Sequence, residues 1–446
     1  MKSYRFLTKF ILTVSIISIL NINGFSQEVM SLENALSLTL KENISIKIKT
    51  NELNQTKNNE QVGFIGTLPR IIVSGSASGN KSTASLEFAT DDFPTIEDAE
   101  SESKSKTGNV GISYNLFNGL GSIYTYQKLK KQSGLKSAEL SIQIEQVLLK
   151  TAKEYFDIAF LQENYKILNE ILDISKERYY RVKVQNEFGN ASNLDLLSAE
   201  IDLNKDSVNL MNTEFELQVA KSQLNQTLNR DIASDFLVED KVDINRNLNY
   251  SNLKQETQKN NKNILLGQYK LEISKKDEKI NSASILPRID VTAQYGYNQT
   301  ESNTSIILDQ TTLGLTGFIN FSWDIFDGLS KNKINQNTKI QIESNKLELY
   351  AIKQEIEKEF DASYKQYENN INLINIELRN QITSEKFFER AKEQYYQGQL
   401  SRNDFRQAQI DLSISKNRLN QTLYNTKIAE LNLYRLSGKI IEKTNK

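Results

Sequence analysis

Apolar residues recur every three or four positions along most of the chain, but two kinds of segment alternate strictly instead. In "RIDVTAQYGYN", Ile289, Val291, Ala293, Tyr295 and Tyr297 share one face, with Asp290, Thr292, Gln294 and Asn298 on the other. In "LGLTGFINFSWDIF", Leu313, Leu315, Ile319, Phe321, Trp323 and Ile325 oppose Thr316, Asn320, Ser322 and Asp324. A period of two with one greasy and one polar face predicts strands wetted on one side only. Weaker alternation at Ile71, Val73 and Ala77, and at Val110, Ile112, Tyr114 and Leu116, predicts two more.

After each strand pair the period becomes helical. Ile144, Leu148, Thr151, Tyr155 and Ile158 form one seam, and Leu161, Tyr165, Leu168 and Leu172 a second, one position out of phase. Phe360, Tyr364, Tyr367, Ile371, Ile374 and Leu378 repeat the pattern. Two offset seams predict a helix packed on two sides. The stretches from Tyr124 to Phe188 and from Ile334 to Gln397 contain no proline. As helices they would each rise roughly 95 to 100 Å. Polar helices are also expected near 31–66 and 250–284, each ended by a Leu-Pro pair at Pro69 or Pro287 that pushes its leading residue out of the helical region.

The two series are copies. An offset of 209 links Phe117 with Phe326, Gly119 with Gly328, Tyr155 with Tyr364, Gly189 with Gly398 and Leu224 with Leu433; "LPRI" at 68 and 286 is offset by 218. The chain therefore reads as a signal peptide (1–26) and two structural repeats, 27–235 and 236–446. The first holds strands at about 70–80 and 108–117, a long helix at about 122–188 and a return helix at about 192–230. The second holds strands at about 288–300 and 313–326, a long helix at about 330–397 and a return helix at about 401–437. The acidic, serine-rich segment 85–106 reads as a solvated loop.

Composition removes whole classes of chemistry. The chain has no histidine and no cysteine. The commonest general base, thiol nucleophiles, disulfides and the usual zinc ligands are thereby excluded. No carboxylate cluster has catalytic spacing, so no enzyme, cofactor or metal site is expected. Lys2, Arg5 and Lys9 precede the run "FILTVSIISIL", and small residues at Gly24 and Ser26 suit cleavage before Gln27. Loss of that segment moves the formal charge from -1 to about -4, which offers nucleic acid no basic patch.

Each long helix is followed by the same corner, "GNASNLDLLSAEIDL" from Gly189 and "GQLSRNDFRQAQIDL" from Gly398. Gly189 and Gly398 suit the left-handed residue past a helix end, and Ser192 and Ser401 suit the N-cap of the next helix. Asp195 and Asp404 then fall at N3 of a capping box. Good local caps alone account for these residue types.

The order of helix, Leu-Pro, two strands, Phe-x-Gly, very long helix, Gly-x-x-Ser-x-x-Asp corner and return helix, given twice, resembles the TolC-like outer membrane efflux channels over essentially the whole mature chain, from about Leu32 to Gly438. The resemblance implies a mainly α fold with a small β part, in which three chains close a 12-stranded outer-membrane barrel continued by a periplasmic α-helical barrel. It implies a passive exit duct, with a periplasmic adaptor (membrane fusion protein) and an inner membrane transporter of RND, ABC or MFS type as partners and outer membrane lipid around the strands. It also implies a gate at the periplasmic end. Asp404 matches a ring aspartate, Asp195 a latch aspartate and Tyr395 the latch tyrosine. Gln407 stands where a second aspartate ring is expected and Leu400 where a latch arginine is expected; Arg402 is the candidate replacement. Pro69, Phe117, Gly119, Pro287, Phe326 and Gly328 mark the strand–helix junctions. A periplasmic coiled-coil scaffold or adaptor without a barrel is the alternative, since it would share the export signal and the long helices.

Overall fold

The computed structural model describes residues 29–444 except 66, 88, 91, 93 and 306, so the expected signal peptide lies outside the described residues. The chain divides into two compact units, one made of 48–142 and 260–357 and the other of the remainder.

The first unit holds an antiparallel sheet of β2 (Arg70–Leu86), β3 (Ile96–Phe117), β5 (Arg288–Ser302) and β6 (Asp309–Ser322), in that order. Its register stacks the apolar positions in rows. Val73 lies opposite Val110, Val110 opposite Tyr295, and Tyr295 opposite Leu315; the next row runs Ile71, Ile112, Ala293, Gly317. Directly paired residues share a face, so one face of the sheet is apolar across all four strands. That face is not covered: Ile71, Val73, Leu315 and Ile319 are about three-quarters exposed. The opposite face carries Ser76, which bonds Thr107 at 2.7 Å, and Asn115, which donates to Asp290 at 2.8 Å.

Two strand boundaries differ from the sequence reading. The segment 85–106 is mostly strand rather than loop, because β2 runs to Leu86 and β3 starts at Ile96. Its charges alternate with serines and pair within the hairpin, Lys81 with Glu100 at 3.1 Å and Lys104 with Glu102 at 3.0 Å. Acidic composition signalled solvation, but a period of two with opposite charges in register also supports a hairpin. At the other edge, β6 stops at Ser322, not near 326. There Trp323 leaves the ladder and its Nε1 donates to the Ile285 carbonyl at 3.1 Å.

The same unit contains most of α2 (Ile44–Ile65), all of α6 (Lys262–Ala283) and the first parts of α3 (Gly121–Glu187) and α7 (Ser330–Tyr396). The second unit contains α1 (Leu32–Glu42), the rest of α3 and α7, α4 (Asn193–Thr227), nearly all of α5 (Tyr250–Asn260), α8 (Arg402–Leu436) and α9 (Ile440–Thr444). A two-residue parallel pair, β1 (Val29–Met30) with β4 (Leu237–Val238), completes it. The helices expected over 31–66 and 250–284 are each broken, at Asn43 and Asn261, which are equivalent under the 218-residue offset. Both asparagines sit at extended ψ and cap the following helix. Asn43 Oδ1 accepts from Ser45 and Ile46 N–H, and Asn261 Oδ1 from Asn263 and Ile264 N–H. An asparagine competes with the helix for its own backbone, and here it wins twice. Asn43 also donates to the Thr227 carbonyl at the end of α4, at 2.8 Å.

The predicted seams face the core of the second unit except at Leu378, which is exposed. Leu148, Thr151, Tyr155 and Ile158 are at most 1% exposed. Tyr155 and its equivalent Tyr364 use their hydroxyls alike, donating to the Met30 and Leu248 carbonyls at 2.9 and 2.8 Å. A buried phenol needs such a partner, and both repeats supply a backbone one.

Candidate functional site

The α3–α4 and α7–α8 turns are built alike from the backbone up. Gly189 has φ +73° and Gly398 φ +75°. Beyond them the Asn190 N–H reaches the Gln185 carbonyl at 2.7 Å and the Gln399 N–H reaches the Gln394 carbonyl at 2.9 Å. Gly189 and Gly398 donate to Asn186 and Tyr395, so each long helix ends in a Schellman motif, whose left-handed residue favours glycine. The return helices start on serine caps. Asp195 N–H donates to Ser192 Oγ at 3.1 Å, and Asp404 N–H to Ser401 Oγ at 3.2 Å. In the first turn the box is reciprocal, because the Ser192 N–H also donates to the Asp195 carboxylate at 3.3 Å. The Ser192 hydroxyl and backbone N–H, with Arg402 adding to them, hold the Asp195 carboxyl below the ordinary range.

Arg402 opens α8, and its Nη1 lies 3.8 Å from Asp195 Oδ1, so the candidate replacement arginine of one hairpin faces the candidate latch aspartate of the other. Tyr395 is placed differently: its ring stacks on Phe405 with centroids 4.5 Å apart and planes 5° off parallel. The tyrosine that reaches the first hairpin is its neighbour. Tyr396 donates to Glu177 at 3.1 Å, and the Arg181 guanidinium lies 3.9 Å from the centre of its ring. Burial first, and the nearby Glu177 second, raise the Tyr396 pKa, so its hydroxyl stays a donor. Leu400 packs on the apolar cluster of Phe388, Ala391, Phe405 and Ala408, which explains a leucine where an arginine was expected. Asp404 and Gln407 are both exposed, and Gln407 donates to Asp411 one turn on, at 2.8 Å.

One turn deeper is a contact that sequence reading missed. Arg406 of α8 makes two bonds to the Asp206 carboxylate of α4, at 2.6 and 2.7 Å. Ser175 donates to the same carboxylate at 2.6 Å, and Gln409 joins Arg406 to the Ile171 carbonyl. Asp206 is 2% exposed. Burial works to lower the Arg406 pKa, but the Asp206 carboxylate outweighs it and raises it. One turn back toward the hairpin tip Arg178, itself buried, pairs with Asp202. Neither Arg406 nor Asp206 has its like in the other repeat, where Leu197 and Ser415 stand. A search for repeated residues therefore passes over them, and with Arg402, Asn403 and Gln409 around Arg406 and Asp202 and Asn209 around Asp206, no break in an apolar face marks them.

The strand–helix junctions also occur twice. Gly119 and Gly328 have φ +68° and +70°, and each is followed by a leucine, Leu120 or Leu329, at φ +69° or +68°. The residue before the glycine caps the long helix: Asn118 Oδ1 accepts from Ser122 N–H, and Asp327 Oδ2 from Lys331 N–H. Phe117 lines a cavity of about 330 Å³ with Phe64, Leu116, Ile123 and Tyr126. Phe326 is 78% exposed. Pro69 and Pro287 directly precede β2 and β5, in each case a few residues past the end of a helix.

A family model described as "Outer membrane efflux protein" matches residues 35–230 and 253–439, well over half of the chain. The chain belongs to the outer membrane efflux protein family. That membership makes it a protein of the outer membrane and of a family of channels rather than enzymes. Solved structures share the fold. The outer-membrane channel OprN is 16% identical at a TM-score of 0.75, covering 92% of this chain and 90% of its own. The Campylobacter jejuni outer membrane channel CmeC is also 16% identical at 0.75, covering 93% and 89%. The Neisseria gonorrhoeae outer membrane channel MtrE, in an open state, is 13% identical at 0.70, covering 93% and 90%. None of the curated proteins matches the chain in sequence.

Proposed function

We propose that three copies of this efflux family member close a single conduit, with twelve strands forming a barrel in the outer membrane and the long helices forming a tube in the periplasm. The observation that carries this reading is the sheet. It has one bare apolar face, and β2 and β6 have no strand partner on their outer sides among the described residues. In hydrocarbon every backbone N–H and C=O needs a partner, so a four-stranded sheet is viable there only if other chains continue it into a closed barrel. Tyr295 and Tyr297 near one end of the apolar rows, and Phe321 and Trp323 near the other, suit the two interfacial girdles of such a barrel. No helix among the described residues is long and apolar enough to cross a membrane.

The conduit is a passive exit, recruited by a periplasmic adaptor and an inner membrane transporter. Its closed end is the pair of helix turns. Arg402 with Asp195, Tyr396 with Glu177, and Arg406 with Asp206 tie the second hairpin to the first, so opening requires these ties to part. Asp404, repeated by symmetry, would gather cations at the opening. The test is single-channel recording in planar bilayers. Wild-type protein should insert with a low resting conductance, and the Asp195→Ala, Arg402→Ala double variant should raise it several-fold. A conductance that stays at the wild-type level refutes the gate; failure of folded protein to form any channel refutes the conduit.

A further inference from the structure

The first hairpin contains a buried cation whose set of partners is incomplete. Arg178 on α3 is 3% exposed and pairs with Asp202 of α4 through one terminal nitrogen, Nη2. Its other nitrogens, Nε and Nη1, are buried and have no hydrogen-bond partner among the described residues. Every nitrogen of a guanidinium is a donor, and a buried donor left unmade costs free energy. The arrangement seen here therefore leaves Arg178 short of an acceptor.

An acceptor lies one turn away. Asp206 follows Asp202 by four residues on α4, and Arg178 follows Ser175 by three on α3, so each pair shares a helix face. Ser175 already touches Asp206, its Oγ 2.6 Å from the carboxylate. Both oxygens of that carboxylate are meanwhile held by Arg406, which belongs to α8 and so to the other hairpin. The second hairpin lacks this arrangement. Under the offset of 209, Arg178 becomes Phe387 and Asp206 becomes Ser415, while Asp202 becomes Asp411, which accepts from Gln407 instead. The buried arginine and the second aspartate are present together in one hairpin and absent together from the other.

We infer that Arg178 is a positioning residue for opening: when α8 carries Arg406 away from Asp206, the free Nε and Nη1 of Arg178 turn onto that carboxylate while Nη2 keeps Asp202. The inference rests on the reading of the two turns as the closed end, and it gives that end a second resting state. Removing one partner of a buried ion pair is strongly unfavourable because the other charge is left uncompensated. Asp206 is 2% exposed, so parting the hairpins without a replacement cation would leave it in that condition beside α3. Arg178 supplies the replacement from within the first hairpin, and Ser175 holds Asp206 in place through the exchange. Arg178 is short of partners in the closed state and gains them in the parted one, whereas Arg406 does the reverse, so the exchange brings the two states closer in free energy. The exchange requires an arginine, because the planar fork offers separate edges to two carboxylates and a lysine ammonium is a single point charge.

A double-mutant cycle in the full-length protein, extracted in mild detergent and melted under circular dichroism, tests the exchange without any channel measurement. Arg406→Gln removes the first cation from Asp206 as opening does, and Arg178→Gln removes its replacement. The melting-temperature loss of the double variant should exceed the sum of the two single losses by several degrees, because Asp206 then has neither arginine. Additive losses overturn the exchange and leave Arg178 a partner of Asp202 alone. In an Asp206→Asn background the same cycle should become additive, and a surplus that survives there overturns Asp206 as the shared acceptor. Single-channel recording tests the role in opening. Adding Arg178→Lys to the Asp195→Ala, Arg402→Ala variant should shorten its open dwell times about tenfold. Unchanged dwell times overturn that role. If the Asp195→Ala, Arg402→Ala variant itself shows only wild-type conductance, the gate reading falls and the role in opening with it, while the thermal cycle still decides the exchange.

Discussion

The two halves of the chain share their elements and their order, yet equivalent places in them are finished differently. The Gly119 corner is buried against Ala283, while the Gly328 corner is open. Position 206 is an aspartate clamped by Arg406, while its equivalent, Ser415, bonds only its own helix, at the Leu412 carbonyl. The first turn has a reciprocal capping box, and the second has only the serine half of it. Duplication supplied a common scaffold, and divergence decided which faces are covered within the chain and which stay bare.

The largest contrast should come from the buried pair. Asp206→Ala strands a largely covered guanidinium and should cost about 3 kcal/mol, against less than about 1 kcal/mol for Ser415→Ala. Thermal unfolding followed by helical circular dichroism checks this. Similar losses would mean that the Arg406 clamp contributes nothing to holding the hairpins.

The corners come next. Gly119→Ala forces a Cβ into a carbonyl at positive φ and should cost about 2–4 kcal/mol, while Gly328→Ala meets only the backbone strain, about 1 kcal/mol. Thermal unfolding of the two variants, followed by helical circular dichroism, checks the difference, and equal losses would contradict the close approach of Ala283 to the Gly119 corner.

At the turns, Ser192→Ala and Ser401→Ala should each cost about 1 kcal/mol, because each removes the same hydroxyl bonds to its N3 aspartate while the Ser192 N–H keeps its bond to the Asp195 carboxylate. The Asp195 part has a pH signature. Its folded pKa is lowered, so its contribution is present above the unfolded value, about 4, and is lost as pH falls through the folded one. The stability gap between wild type and Asp195→Asn should therefore shrink on acidification, and a gap that widens would contradict the assignment.

Periodicity made the strands, the long helices and their turns legible, because each is written by local pattern and then written again. Caps such as Ser192 and left-handed glycines such as Gly398 belong to the same local grammar. The breaks at Asn43 and Asn261 were also in the sequence, as one asparagine at equivalent places, but a single polar residue inside a polar helix carries little signal. The long β2–β3 hairpin was hidden by composition, since acidic residues and serine signal loops even when they alternate. The Arg406–Asp206 clamp and the Tyr396–Glu177 bond were illegible for a different reason. They join residues some two hundred positions apart that have no counterpart in the other repeat, so neither period nor duplication points to them. Tyr395, the latch tyrosine by motif, stacks on Phe405, and the bond to Glu177 made by its neighbour Tyr396 was not in the motif.

The most direct test of the whole account is the mass of the folded particle extracted from the outer membrane in mild detergent, measured by light scattering with the detergent contribution subtracted. Three chains per particle, converted to single chains on boiling, is the predicted result. A folded particle containing one chain would leave both edges of the sheet open in lipid and would contradict it.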